Sequence, residues 1–299
     1  MFSVQVNASN INDKKAFISV FTDFIIETAN NLVIDDLKRV VVTEDYNNDI
    51  ADFALRNCHR ITHAYDYEEA RTHPFDDSSS HKEAIFLSNK YFASQNNNKC
   101  TGIKKFVRNS KDYQQLHTTL RHELSHVHEL GITKRFLWYK PEHLKEQDAF
   151  LMPSLYLWSE YFACRSELML DYSYENLTST LINSIRLIEL ECQILRLKYI
   201  NGTIGEEEYK EMVYRKNIRY ILELAARIVG YFSSSSKDIR IMKYHNCENM
   251  HREIYIFKKL ISLDNYLSEL FHQYPHWENE SILQMLCQFQ SDYLHSFVV

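Results

Sequence analysis

The sequence predicts an α+β fold that is mainly helical, with a small β-sheet in its first half. The chain of 299 residues contains only five glycines and four prolines, so long stretches carry no residue that breaks a helix. Apolar residues recur at helical spacing through most of these stretches. Two short segments, residues 37–42 and 84–89, are instead rich in β-branched or aromatic residues and predict strands.

The first half divides into closely spaced elements. Residues 13–32 predict an amphipathic helix, because Thr22 and Asp23 interrupt the apolar run at helical spacing; a signal peptide would have a basic start and an unbroken apolar core. A helix over 111–130 is expected to end at Gly131, since glycine commonly follows the last helical residue. Between these helices we expect a strand at 37–42, a helix at 48–56, a polar loop at 72–81 and a strand at 84–89.

The second half predicts helices alone. A long helical pattern over 175–200 stops at Asn201-Gly202-Thr203, and a second pattern over 205–229 completes a helical hairpin. Residues 233–236, four serines, are the best candidate for a linker. Further helices are predicted at about 246–262, 264–273 and 279–297.

The net charge, the apolar runs and the cysteines limit which partners and which location are expected for this protein. The net charge of −6 gives no general attraction to nucleic acid, and the basic residues between positions 104 and 111 are best interpreted as a solvated approach to the next helix. No apolar run approaches the length of a membrane span. The six cysteines form no CxxC pair, which indicates reduced thiols and a cytoplasmic location.

The strongest functional signal is His122-Glu123-Leu124-Ser125-His126, an HExxH pattern inside the predicted helix. Histidines four residues apart lie on one helical face, where both imidazoles can bind a single Zn²⁺. Glu123 can then serve as general base toward a metal-bound water. A stripe of apolar residues would bury the helix: Leu116, Leu120, Leu124 and Val127. The alternative is an ordinary amphipathic helix whose three histidines, His122, His126 and His128, lie on the surface.

A zinc site needs a third protein ligand. A third histidine in the HExxHxxGxxH spacing is absent, because Glu129 and Ile132 occupy the two positions concerned. Glu160 is the best candidate, since it lies in an apolar run and a buried carboxylate needs a partner. Glu129 and Glu167 lie on the same helical faces as these groups and remain competitors. The segment around Glu160 predicts a return helix with Pro153 in its first turn.

The HExxH pattern and a downstream helix with Glu160-x-x-Ala163 together resemble the gluzincin branch of the zincin metallopeptidases. The resemblance covers roughly residues 35–172 and is strong at the two motifs. It implies His122, His126 and Glu160 as zinc ligands and Glu123 as general base. Several gluzincin families carry an Asp after this Ala as a hydrogen-bond partner of a ligand histidine. This chain has Cys164 there, and its Glu-Tyr-Phe-Ala run is nearer to the Glu-Phe-Phe-Ala of another group.

The resemblance also implies an architecture. A zincin-like core would place the small sheet beside the HExxH helix, so that residues 1–175 form a catalytic region and residues 176–299 a helical region. The two regions are either separate or packed as one domain. Zincins hold an extended peptide against an edge strand by main-chain pairing. Residues 84–89 are the candidate for that strand, with a plain core strand as an equal alternative.

These features predict a zinc-dependent peptidase that acts on a peptide or protein substrate. The oxyanion donor, a Tyr, His or Arg side chain, stays open; Tyr156, Tyr161 and Arg165 are the candidates near Glu160 in sequence. The cleavage specificity and the oligomeric state stay open as well. Residues 123–126 and 248–251 are both ExxH patterns, the ligand set of di-iron carboxylate bundles, so an oxidoreductase is one alternative. A helical binding or regulatory protein with a degenerate zinc site is the other.

Overall fold

The protein consists of two compact units, Met1–Lys134 and Arg135–Val299, and each is described by itself. The computed structural model describes residues 2–58, 70–74, 82–92, 111–137, 150–166, 174–214, 221–234, 251–278 and 280–298. Helices predominate among these residues, and one four-stranded sheet lies in the first unit. The expected α+β, mainly helical class is therefore confirmed, while the predicted domain boundary near residue 175 stays a prediction.

The sheet of the first unit has the strand order β1-β2-β4-β3. Its strands are β1 (Ser3–Asn7), β2 (Leu37–Thr43), β3 (Ala70–Pro74) and β4 (Glu83–Ser88). The first two pair in parallel, β4 continues this direction, and β3 runs antiparallel to β4 at the edge. Strands β2 and β4 were expected, whereas β1 and β3 were not. The predicted loop at 72–81 is wrong for Thr72–Pro74, which belong to β3, and its residues 75–81 lie outside the described chain.

Three helices cover the two faces of this sheet: α1 (Lys14–Thr28), α2 (Tyr46–Cys58) and α3 (Lys111–Leu137). Successive side chains of a strand point to opposite faces. Val40 and Val42 accordingly pack in one core with α1 and α3, whereas Val41 packs with α2 on the other face. The predicted apolar stripe of α3 is confirmed, because Leu116, Leu120, Leu124 and Val127 are all fully buried in the first of these cores.

The HExxH segment of α3 is anchored to the end of α1. Arg121 Nη1 donates hydrogen bonds to the carbonyl oxygens of Thr28, at 2.7 Å, and Asn30, at 2.5 Å. These carbonyls lie at a helix end, where no further turn is available to satisfy them. The backbone N–H of Val33 donates to His128 Nδ1 at 2.9 Å. Both sets of contacts fix the position of α3 relative to the end of α1 and the residues that follow it.

Helix α3 does not end at Gly131 but continues to Leu137, so the predicted end was wrong. A Cβ atom at Gly131 would lie 2.7 Å from Asp36 Oδ2. Asp36 also accepts a hydrogen bond from Lys82 Nζ at 3.2 Å. The glycine therefore permits the close approach of an ion-paired carboxylate to the helix, and it does not serve as a helix terminator.

Acidification is expected to destabilise the first unit through His117. Its ring lies between Phe24 and Tyr113, at 6.1 and 6.0 Å between ring centroids. Burial, aided by the charge of Arg121, lowers the pKa of His117. A histidine whose pKa is lower in the folded than in the unfolded state favours folding above the unfolded pKa of about 6.5, and this contribution is lost as pH falls. We expect the thermal unfolding midpoint to fall between about pH 7.5 and 5.5, and to fall less in His117→Gln; an identical pH dependence in the variant would contradict this assignment.

The second unit is mainly helical and has no strand among its described residues. Its helices are α4 (Leu151–Ser166), α5 (Tyr174–Ile200), α6 (Glu206–Tyr214), α7 (Glu223–Ser234), α8 (His251–Gln273) and α9 (Gln284–Val298), with a 3₁₀ turn at Glu280–Leu283. The predicted helix at 175–200 corresponds to α5. The pattern at 205–229 corresponds to α6 and the first part of α7, and residues 215–220 lie outside the described chain.

Two predicted boundaries in the second unit, a new helix at Asp264 and a linker beginning at Ser233, are wrong, and the contacts of Asp264 explain both. Helix α8 continues through Asp264, where a separate helix was expected to begin, and Ser233 lies in α7 and not in a linker. The Asp264 carboxylate accepts hydrogen bonds from Ser233 Oγ at 3.1 Å and from Ser268 Oγ at 3.4 Å. An aspartate with partners inside the fold has no need to cap a helix, and a serine bonded to it is held within α7.

Helices α4 and α7 pack unusually closely at Gly230. A Cβ atom at this position would lie 2.5 Å from the carbonyl oxygen of Tyr161 and 3.0 Å from Cys164 Cβ. The core around this contact is rich in aromatic residues, with Trp158 of α4 only 4.7 Å from Trp277 between ring centroids. Among the described helices, none combines the length and the apolar character needed to cross a membrane.

Candidate metal centre

The two histidines of the HExxH pattern face each other within α3. Their Nε2 atoms are 3.1 Å apart, and both side chains are half-buried. This separation suits an N–H···N hydrogen bond, and it also suits two deprotonated nitrogens bound to one ion. At zinc–nitrogen bonds of about 2.0–2.1 Å and a tetrahedral angle, two ligand nitrogens lie about 3.3 Å apart. The predicted ligand pair is therefore brought together in a geometry that fits zinc.

Glu123 directly follows His122 in sequence, and it is almost buried, with 7% of its surface exposed. Thr72 Oγ1 lies 2.8 Å from Glu123 Oε2 and 3.1 Å from the carbonyl oxygen of Glu123, and it donates to both acceptors. The hydroxyl belongs to β3, the edge strand. This contact was not predicted from the sequence.

The strand beside the HExxH segment is β3, whereas residues 84–89 had been the candidate edge strand. That candidate corresponds to β4, which lies between β2 and β3 and is buried along its whole length. Strand β4 is therefore a core strand, as the alternative interpretation held. The sequence signal for β4 was strong because both of its faces are covered, which selects apolar residues at successive positions.

The third histidine of the segment, His128, points elsewhere. It is half-buried, and its Nδ1 accepts the hydrogen bond from Val33. Burial, together with the charge of Arg121, lowers the pKa of His128, which favours the neutral ring that this acceptor role needs. None of the three histidines is a freely exposed surface residue, since His122 and His126 are also half-buried. Glu129, the competitor on the same helix, is buried.

Glu160 lies on α4 in the second unit, and Arg227 of α7 is its ion-pair partner. Arg227 Nε lies 2.8 Å from Glu160 Oε2, with 18% of the Glu160 side chain exposed and 47% of the Arg227 side chain exposed. The carboxylate of Glu160 is the main cause that raises the pKa of Arg227. The expectation that a carboxylate in this apolar run has a partner is met, although no sequence pattern identified Arg227.

Cys164 has a packing role. Its Cβ atom is one of the atoms that a Cβ at Gly230 would meet, so it lies at the close contact of α4 and α7. The position that carries an Asp in several gluzincin families is therefore occupied here by a buried helix-packing residue. The other competitor, Glu167, lies outside the described residues.

Two of the three candidate oxyanion donors belong to a polar network in the second unit. Tyr161 is fully buried, its hydroxyl is hydrogen-bonded by Arg165 Nη1, and it lies 3.2 Å from Ser268 Oγ. The Arg165 guanidinium also lies 3.8 Å from the ring centroid of Phe271. Tyr156 is half-exposed and alone among the three has a largely accessible side chain. For the di-iron alternative, Glu248 lies outside the described residues.

No family model, curated protein or solved structure matches this chain. The motifs and the chemistry of the described side chains are therefore the basis for a proposed function. The groups available for chemistry are the imidazoles of His122 and His126 on one helix and two carboxylates. One carboxylate, Glu160, lies in an apolar run, and the other, Glu123, is nearly buried beside the first histidine.

Proposed function

We propose that this protein is a zinc-dependent peptidase in which His122, His126 and Glu160 bind Zn²⁺ and Glu123 is the general base. Each of the three side chains offers a donor atom of a kind that binds zinc in proteins. The observation that carries the proposal is the 3.1 Å separation of the two histidine nitrogens, with Glu123 next to the first. Two imidazoles and one carboxylate are a common ligand set for catalytic zinc, which keeps one coordination position open.

Each protein group then has a defined task in hydrolysis. When bound, zinc would polarise the scissile carbonyl and make a water more acidic. Glu123 accepts the proton of the attacking water on a carboxylate oxygen and delivers it to the nitrogen of the leaving amine. Arg227 keeps Oε2 of Glu160 engaged, which restricts how this carboxylate can turn. Thr72 does the same for Glu123.

The position of β3 supports a peptide as the substrate. An edge strand presents main-chain groups that can pair with an extended peptide. Strand β3 ends the four-stranded order and runs directly past Glu123, so a peptide paired with it would lie beside the general base. Pro74 has no backbone N–H, so pairing along the strand would depend on Ala70 to His73.

Removal of one ligand carboxylate is expected to remove the metal. Wild-type protein, purified without added metal and then dialysed against zinc, is expected to carry about one zinc per chain by elemental analysis, and Glu160→Gln much less, because a neutral amide is a poorer ligand. Glu207→Gln, at a residue whose side chain is 92% exposed, is the matched control and should retain the wild-type zinc content.

Other results of this measurement would redirect the proposal. Full zinc content in Glu160→Gln would move the third ligand to Glu129 or Glu167. Iron near two per chain would favour the di-iron oxidoreductase. A wild-type protein that takes up no metal would contradict the peptidase, and zinc without cleavage of any peptide would favour a regulatory protein.

A further inference from the structure

We propose that Thr72 is a positioning residue for Glu123, which ties the orientation of the general base to the edge strand of the sheet. The inference rests on the proposed peptidase function and adds a residue that neither the HExxH motif nor the Glu160 motif contains. Its basis is the pair of contacts from one hydroxyl, at 2.8 Å to Glu123 Oε2 and 3.1 Å to the Glu123 carbonyl oxygen.

The hydroxyl of Thr72 is held in a fixed place. Strand β3 pairs with β4 so that Thr72 lies opposite Ile85, which is fully buried, and threonine is restricted at χ1 by its branched Cβ. The neighbouring residue points to the other face, where the ring of His73 lies 5.6 Å from that of Phe53 in α2. The alternation of the strand therefore directs Thr72, and not Arg71 or His73, toward α3.

This contact matters because a glutamate side chain has several rotatable bonds. A general base works only within hydrogen-bond reach of the proton that it removes, and small misplacements lower the rate steeply. A hydrogen bond from a neutral hydroxyl to a carboxylate is charge-assisted and short. With Oε2 engaged by Thr72, Oε1 would be the oxygen that accepts the proton of the attacking water.

The same contact links substrate binding to the base. A peptide paired with β3 would order the main chain of the strand that carries Thr72. Because Thr72 bonds both the side chain and the backbone of Glu123, a shift of β3 would be transmitted to the first turn of the HExxH segment. Productive orientation of Glu123 would therefore depend on the strand that the peptide occupies.

Two substitutions at Thr72 distinguish the effect of its hydroxyl on activity from the effect of its packing. Thr72→Val keeps the shape and the β-propensity but removes the donor, and Thr72→Ser keeps the donor. Zinc-loaded proteins would be assayed on a mixture of random-sequence fluorogenic peptides, then on the best-cleaved peptide. We expect kcat to fall about 10–100-fold in Thr72→Val with KM, zinc content and unfolding midpoint near wild type, and Thr72→Ser to stay within about threefold.

The outcomes distinguish this inference from the proposed function. Equal activity of wild type and Thr72→Val would overturn the role of Thr72 and leave the peptidase intact. An equal loss in the Val and Ser variants would assign the effect to packing and would also overturn it. A wild-type protein that binds zinc but cleaves no peptide of the mixture would overturn the peptidase and this inference with it.

Discussion

Replacing Glu123 by Gln is expected to abolish peptide cleavage while the protein keeps its zinc. The amide cannot accept a proton from the attacking water, and loss of a general base lowers the rate by about 10²–10⁴-fold. Elemental analysis and turnover of the best-cleaved fluorogenic peptide would be measured on the same sample. The expected pattern is a wild-type zinc content and a KM close to wild type, with kcat near the detection limit.

The structure explains why this substitution should leave the fold and the ligands undisturbed. Glutamine has nearly the volume of glutamate, and its amide oxygen can still accept the hydrogen bond that Thr72 donates to Glu123. His122 and His126 lie on the same helix, and their Nε2 atoms face each other at 3.1 Å. Glu207→Gln tests for an effect of losing one negative charge as such. Cleavage by Glu123→Gln at the wild-type rate would show that another group is the base.

The pairing of His122 with His126 in the candidate site could be predicted because the geometry of neighbouring helical turns is local. Histidines four residues apart meet on any regular helix, and the apolar stripe of α3 follows from the same periodicity. Glu160 could be selected because charged residues are rare in an apolar run of a buried helix. Strands β2 and β4 were predictable for a related reason, since their β-branched and apolar residues fill the core on both faces.

Contacts between distant segments could not be predicted in this way. Thr72 and Glu123 are 51 positions apart, and β3 is a five-residue edge strand with no apolar alternation to mark it. Arg227 carries no pattern that relates it to Glu160, because the pairing depends on how α7 packs against α4. Edge strands and salt-bridge partners are set by tertiary pairing, which a one-dimensional pattern does not contain.

The prediction for Gly131 was wrong for a physical reason. Glycine at the end of an apolar pattern usually terminates a helix, yet Gly131 lies inside α3. Its missing side chain serves a different purpose there, the approach of Asp36. A single sequence does not distinguish a glycine needed for backbone conformation from one needed for space, since both lack a Cβ for different reasons.

Gly230→Ala is expected to destabilise the second unit strongly. The added Cβ would lie 2.5 Å from the carbonyl oxygen of Tyr161, 3.0 Å from Cys164 Cβ and 3.3 Å from the backbone nitrogen of Arg165. Two of these atoms are backbone and cannot move without shifting α4. Overpacking of this kind costs about 1–3 kcal/mol or more, which outweighs the gain of about 1 kcal/mol in helix propensity on replacing glycine by alanine.

The same change tests whether the α4–α7 contact supports the metal centre. Arg227 lies one helical turn before Gly230, so separation of the two helices would also draw Arg227 away from Glu160. We therefore expect a lower denaturation midpoint together with weaker zinc retention in Gly230→Ala. Gly205→Ala is the matched control, because a Cβ there would meet nothing within 4 Å, and it should lose much less stability than Gly230→Ala. A Gly230→Ala protein as stable as wild type would contradict the close contact of α4 and α7. Lost stability with undiminished zinc binding would show that Arg227 is not needed to hold Glu160 in place.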